Sequence, residues 1–352
     1  MFSDLKYLSA FSIPVVAASS FLLGESWAFF TPIFAFVLIP IMETILPTNT
    51  DNLSKQQADS KLKNKFFDLL LYLNLPIVYG TIGYFLWSLS WAEYSTMGLI
   101  GYTFSVGIVL GANGINVAHE LGHRKTAWER TLSKILLIPA QYMHFYIEHN
   151  FGHHLHAATQ HDPASAKYNQ SVFSFWFTST TRQYRNAWKL QAEMRKREGY
   201  SFFSLKNDMF WYSLIQAGYL FACFLLFGPI GLLLAAIIAV VGILLLETIN
   251  YIEHYGLRRG TTKSGRFERV SAIHSWNSNH VLGRVILYEL TRHSDHHYKA
   301  SKKYQVLEHH DISPQLPYGY PTSMVLSLVP PLWFAIMNKR VPKEMVELQT
   351  AA

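Results

Sequence analysis

The sequence predicts an all-α, polytopic membrane protein with six transmembrane helices and a histidine-rich helical cap on the cytoplasmic side. Three observations support this fold class. Half of the 352 residues are hydrophobic and only 15% are charged, whereas soluble domains carry roughly 25% charged residues. Six apolar stretches approach or exceed the length of about 20 residues that a membrane-spanning helix needs. The basic residues gather on one side of the membrane that these stretches define.

The six predicted spans differ in quality. They lie at about 6–24, 27–46, 66–91, 96–118, 207–227 and 229–249. The second contains Glu43 near its end, and the sixth is the most uniformly apolar. Two further apolar stretches, 131–147 and 321–337, are short and are interrupted or flanked by lysine, histidine or proline. We expect these two to be re-entrant or interfacial.

The connections between the spans predict the orientation of the chain. One side would receive segments 25–26, 92–95 and 228, which contain no Lys or Arg. The other side would receive the segments 47–65, 119–206 and 250–352. These hold all the basic residues except Lys6, which lies on the same side by parity. The positive-inside rule therefore predicts one integral-membrane domain, 1–352, with both termini cytoplasmic.

The remaining bulk features exclude several classes of protein. The net charge of +7 follows from the cytoplasmic bias of Lys and Arg, so it does not indicate nucleic acid. Cys223 is the only cysteine, which excludes a disulfide framework and a CxxC metal site. No clear cleavage site follows the first apolar stretch, so we expect it to be retained as a span. The polar tail after Val341 is expected to be loosely ordered.

Histidine clusters carry the functional signal, because all sixteen histidines lie at or beyond position 119. Four clusters stand out: HELGHR (119–124), EHNFGHH (148–154), NYIEHYG (250–256) and RHSDHH (292–297). Residues i and i+4 share a helix face, so His119 should pair with His123, and His149 with His153. His154 would be rotated by about a quarter turn or more from that face.

The number of imidazoles indicates more than one metal ion. The candidate ligands are His119, His123, His149, His153, His154, His254, His293, His296 and His297. A catalytic zinc ion uses three protein ligands and a structural one uses four. Nine ligands therefore suit two metal ions with open positions. The predicted cytoplasmic metal-binding segments are accordingly 119–206 and 250–340. Imidazole binds iron, copper, zinc and nickel, so the ligand type does not identify the metal.

Other polar residues near these clusters are candidates for supporting roles. Ligating histidines usually donate their second nitrogen to a carboxylate or carbonyl. The candidates for such contacts are Glu120, Glu148, Asp162, Glu253 and Asp295, and His274 and His280 are candidates for lining the site or its electron entry. The other clustered histidines are expected to be surface or hydrogen-bonding residues: His144, His156, His161, His309 and His310.

The order of these motifs resembles the membrane alkane 1-monooxygenase family, within the membrane desaturase and hydroxylase superfamily. The resemblance extends from about Asn113 to Trp333. It includes HELGHR, EHNFGHHLHAATQHDPAS (148–165), HSWNSNH (274–280), RHSDHH and PQLPYGYP (314–321), and its extra NYIEHYG box is typical of the hydroxylases rather than the fatty-acyl desaturases. Two departures, Tyr298-Lys-Ala-Ser after the last box and Thr291 in place of a usual Gln, remove no ligand. They bear on substrate range and partner docking.

The resemblance implies a specific chemistry. It implies two non-haem iron ions on the nine histidines, with no catalytic residue beyond these ligands. It implies hydroxylation of the terminal methyl of medium- and long-chain n-alkanes with O2. Electrons would come from rubredoxin, a separate chain, and its NAD(P)H-dependent reductase. The expected location is the bacterial inner membrane, in contact with membrane lipid.

Several alternatives remain open at this point. A methyl-arene (xylene-type) hydroxylase fits the same motifs, whereas His254 and its box disfavour a fatty-acyl desaturase. An intramembrane zinc protease would use Glu120 as its base, but it leaves seven histidines unexplained. A non-enzymatic metal transporter should place its ligands within the spans, and the histidines here lie outside them.

Overall fold

The computed structural model describes residues 2–350. In order, the helices are α1 (Asp4–Leu23), α2 (Glu25–Ile45), α3 (Lys55–Lys63), α4 (Phe66–Ser88), α5 (Thr96–Gly122), α6 (Ala127–Leu136), α7 (145–156), α8 (Val172–Arg197), α9 (Asp208–His254), α10 (Val281–Ile286), α11 (His293–Tyr298), α12 (Tyr320–Ser327), α13 (Pro330–Met337) and α14 (Lys343–Thr350). Among the described residues, extended backbone forms only isolated bridges. The all-α prediction is therefore confirmed.

Five of these helices are long and apolar enough to cross a membrane: α1, α2, α4, α5 and α9. Their outer faces expose large apolar side chains, such as Leu22 at 84% and Leu226 at 73% exposure. Apolar surface of this extent fits contact with lipid rather than water. The protein is therefore a polytopic membrane protein.

The 47-residue helix α9 is broken at one position. Gly228 adopts φ 69° and ψ −169°, outside the helical region. Glycine reaches positive φ without steric cost, and the following Pro229 has no N–H for the helical ladder. The break falls between the predicted fifth and sixth spans. The count of six spans itself stays a prediction.

Helix α5 lies at the centre of the bundle. In its most apolar window 72% of the residues are buried, against 28–39% for the other four long helices. A Cβ added at Gly107 would lie 2.5 Å from Val241 of α9, and one at Gly111 would lie 3.0 Å from Leu245. Small residues at these positions let the two backbones approach closely, as is common between membrane helices. The two helices therefore run side by side toward the histidine-bearing end.

The C-terminal segment packs against that end. Helix α14 follows Val341, which is 5% exposed, and buries Met345 to 7%. The side-chain amide of Gln349 donates to the carbonyl oxygen of Gly256 at 2.9 Å. The expectation of a loosely ordered tail was therefore wrong, because its few apolar residues at helical spacing have a surface to cover.

Candidate metal centre

The two central helices bring their histidines to one region. Helix α5 continues beyond its predicted apolar span and presents His119, and His123 follows directly after its end. Helix α9 ends on His254, preceded by Glu253. The short helices α7 and α11 supply the other six histidines.

Five histidines form what we call the first histidine group: His119, His123, His149, His154 and His296. One ring nitrogen of each lies within 4.8 Å of those of all the others. The Nε2 atoms of His119 and His296 are 2.9 Å apart. Those of His149 and His123 are 3.0 Å apart, and those of His154 and His123 are 3.2 Å apart.

Four histidines form the second histidine group: His153, His254, His293 and His297, all buried. Here too one ring nitrogen of each lies within 4.8 Å of the rest. The Nε2 of His293 is 2.9 Å from that of His297 and 3.2 Å from that of His254. The Nε2 atoms of His153 and His297 are 3.2 Å apart.

The division between the groups differs from the expected helix faces. His149–His153 is π-helical, and a π-helix repeats its contacts at i+5 rather than i+4. His149 and His154 therefore share the first group, with their Nε2 atoms 3.0 Å apart, whereas His153 belongs to the second group. The expectation that His149 and His153 share a face assumed an ordinary α-helix.

The nitrogen spacing fits bound metal ions. Imidazole nitrogens at about 2.0–2.1 Å from a first-row metal lie about 3.0 Å apart at right angles and about 3.4 Å apart at tetrahedral angles. The separations of 2.9–3.2 Å in both groups are close to these values. Each group could therefore surround one metal ion, and all nine predicted histidines belong to one group or the other.

Six imidazoles of the site are held in the neutral form that binds metal. Burial lowers the pKa of His123 to about 3. Burial, with neighbouring histidines adding to it, also holds the pKa of five others well below the ordinary value of 6.5: His149, His154, His293, His296 and His297. Desolvation opposes the charged form, so these lone pairs stay free for a metal.

The outer nitrogens of two histidines have fixed partners. The Nδ1 of His153 lies 3.0 Å from Asp162 Oδ2. Burial alone would lower the pKa of His153, but the Asp162 carboxylate raises it overall. The Nδ1 of His254 lies 3.3 Å from the carbonyl oxygen of His274. Such contacts fix the ring orientation and leave Nε2 toward the group.

Three of the other predicted carboxylates make different contacts. Glu120 pairs with Arg124 at 2.9 Å, and Asp295 accepts from His310 at 2.9 Å. Glu148 is fully buried, and burial raises its pKa to about 8. Among the hydrogen bonds of residues 2–350, these three carboxylates make none to the nine imidazoles.

The rings of His274 and His280, the candidates for lining the site or its electron entry, contact neighbouring residues of the chain. The Nδ1 of His274 accepts from the backbone N–H of Ser271 at 2.9 Å. The Nδ1 of His280 lies 2.9 Å from the hydroxyl oxygen of Ser278. His274 thus contacts the site through its backbone carbonyl.

His144 was expected to be a surface or hydrogen-bonding residue, and this was wrong. It is 4% exposed and lies between the rings of Tyr142 and Tyr184, with centroids at 4.3 and 5.1 Å. Neither of its ring nitrogens has a hydrogen-bond partner among the described residues. It therefore behaves as an aromatic packing residue outside both histidine groups.

An apolar cavity with a volume of about 70 Å³ adjoins the site. It is bordered by His119 and His149 of the first group and by His293 of the second. Its walls include Phe36, Ile39, Ile108, Leu245, Ile249 and Leu287. Phe36 and Ile39 belong to α2, Ile108 to α5, and Leu245 and Ile249 to α9. Composition does not indicate these residues in advance, because lipid-facing and cavity-facing side chains have the same composition.

Comparison with known proteins places this architecture in a class. The profile of the fatty acid desaturase family matches residues 94–326, which contain all nine histidines. The fold and site thus define a histidine-rich membrane enzyme of the desaturase and hydroxylase type.

Individual proteins similar to this chain indicate the family within that class. Alkane 1-monooxygenase 1 of Pseudomonas aeruginosa is 38% identical over 90% of this chain and 83% of its own length. Alkane 1-monooxygenase 2 of Alcanivorax borkumensis is 37% identical over 94% of this chain and 88% of its own. The xylene/toluene monooxygenase hydroxylase component XylM of Pseudomonas putida is 28% identical over 94% and 88%. The chain belongs to the membrane alkane 1-monooxygenase family, and it is a monooxygenase with a histidine metal site.

Proposed function

We propose that this protein hydroxylates the terminal methyl of medium- and long-chain n-alkanes, with two iron ions, O2 and electrons from rubredoxin. One observation carries the proposal: histidines of both groups border one apolar cavity. The relatives named alkane 1-monooxygenase support the reaction class.

The cavity suits a substrate without polar groups. An n-alkane gains affinity only from apolar burial, about 0.8 kcal/mol per CH2 group. Ile108, Ala112 and His119 all border the cavity along α5. Ile108 precedes His119 by 11 residues, which is roughly 16 Å of helix. This length suits a medium or long alkyl chain with one end at the histidines.

The reaction couples one alkane and one O2 to two electrons and two protons. One oxygen atom becomes the hydroxyl of the terminal carbon, and the other leaves as water. Bound at the two groups, the metal ions would supply O2 activation. The protein's own residues hold neutral imidazoles, fix the ring of His153 through Asp162, and exclude water with the apolar walls.

Electrons would enter through the first histidine group. His123 and His154 are its partly exposed members. His123 borders a cleft that is lined by six Lys and Arg residues and four carboxylates. Within residues 2–350, the cleft residues Lys65, Lys125 and Lys299 form no ion pair. An acidic redox protein is attracted to such a surface. We therefore assign this cleft to rubredoxin, itself reduced by an NAD(P)H-dependent reductase.

The proposed location is the bacterial inner membrane, with six spans and both termini in the cytoplasm. The support is the sidedness of Lys and Arg between the spans. A cytoplasmic site gives the reductase and rubredoxin direct access, while the apolar substrate can enter from lipid.

A methyl-arene hydroxylase is the second candidate. The full-length similarity to XylM favours it, because a benzylic methyl could be presented to the same histidines. Competition between octane and xylene for the purified enzyme distinguishes the two. The n-alkane proposal requires the higher kcat/KM with octane.

The deciding experiment joins metal analysis to an activity assay. Purified protein should contain about two iron ions per chain and convert octane to 1-octanol with rubredoxin, its reductase and NAD(P)H. His254→Ala should abolish turnover, whereas His161→Ala, at an exposed histidine outside both groups, should not. One zinc ion per chain, absence of alcohol, or full activity of His254→Ala would refute the proposal.

A further inference from the structure

Glu253 contacts the histidines differently from Asp162. Asp162 touches Nδ1 of His153, the nitrogen that faces away from the group. The Oε2 of Glu253 instead lies 3.2 Å from Nε2 of His293, the nitrogen that faces the other imidazoles of the second histidine group. This separation equals the spacing between imidazoles in that group. The Glu253 oxygen thus occupies the place of a neighbouring ligand rather than of an outer support.

The charge of Glu253 has no partner other than this site. Glu253 is 1% exposed, and it forms no ion pair with Lys or Arg within residues 2–350. By contrast, the buried Glu289 pairs with Arg284 at 2.7 Å. A buried carboxylate without a cation is strongly unfavourable. A divalent ion in the second group would supply the missing positive charge.

A second contact fixes the carboxylate. The hydroxyl of Tyr320, which is fully buried, donates to Glu253 Oε1 at 2.8 Å. The other oxygen, Oε2, is then left toward His293. The backbone position also favours the site, because Glu253 directly precedes His254 on α9.

The two groups differ in donor number, five imidazoles against four. Glu253 lies outside the set of four mutually close nitrogens, so its place is at the edge of the second group. It also borders the apolar cavity, together with His293, and it is the one carboxylate among the described residues that line that cavity.

We infer that Glu253 is a tenth ligand, giving the second metal ion one carboxylate oxygen on the cavity side. The two positions would then differ chemically, with five imidazoles at one and four imidazoles and a carboxylate at the other. The anionic oxygen would lower the charge of the second position by one. This inference rests on the proposed two-metal site.

The test is titration of metal-free protein with Co²⁺, followed by absorption spectroscopy and chelator competition. The wild type should bind two Co²⁺ ions. Glu253→Gln should lower the affinity for one of these Co²⁺ ions by roughly 10-fold or more, the size of effect that changes next to a metal site usually have. It should also alter the absorption spectrum of that ion. The other ion should be unaffected. The matched control is Glu247→Gln, a buried carboxylate on the same helix that is bonded to Tyr142 and Gln183, which should bind like the wild type.

A measurement on the wild type covers the case in which Glu253→Gln fails to fold. Infrared difference spectra on adding the second Co²⁺ equivalent should show a shifted carboxylate band, and Tyr320→Phe should move that band. The assignment of Glu253 as a tenth ligand would be refuted if Glu253→Gln bound both Co²⁺ ions with wild-type affinity. It would also be refuted if the wild type showed no shift of a carboxylate band. Either result would leave the two-metal proposal intact. A wild type that binds fewer than two ions would instead refute the proposed function.

Discussion

Substitution of Ile108 by Trp tests whether the apolar cavity holds the alkyl chain. Ile108 is the cavity residue of α5 farthest along the helix from His119, about 16 Å away at 1.5 Å per residue. An indole ring there should displace the last methylenes of a long chain. Octane, bound with its reacting end at the histidines, should not extend that far.

The magnitude follows from the lost burial. Excluding about two or three methylenes costs about 2 kcal/mol at about 0.8 kcal/mol each. At about 1.4 kcal/mol per tenfold change in rate, kcat/KM for hexadecane should fall roughly 30-fold, with little change for octane. The assay measures 1-alkanol formation by the purified enzyme from each substrate.

The matched control is Ile100→Trp, on the same helix but at a position 40% exposed on the outside of the bundle. It should leave both substrates unchanged. Equal losses for octane and hexadecane would indicate damage to the fold. Full activity of Ile108→Trp on hexadecane would refute the assignment of the cavity to the substrate.

Three further predictions concern the ligand support, the pH response and the electron entry. Asp162→Asn should weaken metal binding at the second histidine group by roughly 10–100-fold, as measured by chelator competition, because the Nδ1 of His153 loses its carboxylate; unchanged affinity would contradict this role. Burial lowers the pKa of His144 to about 3, so its contribution to stability is present above the unfolded value of about 6.5 and is lost as pH falls toward 3. Lowering the pH from 7 to 5 should therefore cost about 2 kcal/mol through this residue, and His144→Phe should remove that part of the pH-dependent fall in Tm; an identical fall in the variant would argue against it. Lys125→Glu combined with Lys299→Glu should reduce kcat/KM for rubredoxin roughly 10-fold at low ionic strength and much less at high salt; a loss independent of salt would exclude electrostatic docking at this cleft.

Hydropathy located the five long apolar helices, and the Gly228–Pro229 break lies at the predicted span boundary. The polarity of the tail after Val341 wrongly predicted loose order, because this segment forms a packed helix. The error has a physical cause, since local polarity does not reveal the surface against which a few apolar residues can pack.

The sequence by itself determined the membrane fold class and the set of nine histidines, because both depend on composition and spacing along the chain. Only the tertiary structure decided how the nine divide. The π-helical turn at His149–His153 sends neighbouring imidazoles to different groups, and no spacing rule for an α-helix anticipates it. The cavity at the histidines and the contact between Glu253 and His293 likewise require several helices to converge. Such contacts join residues distant in sequence, so only the packed chain brings them together.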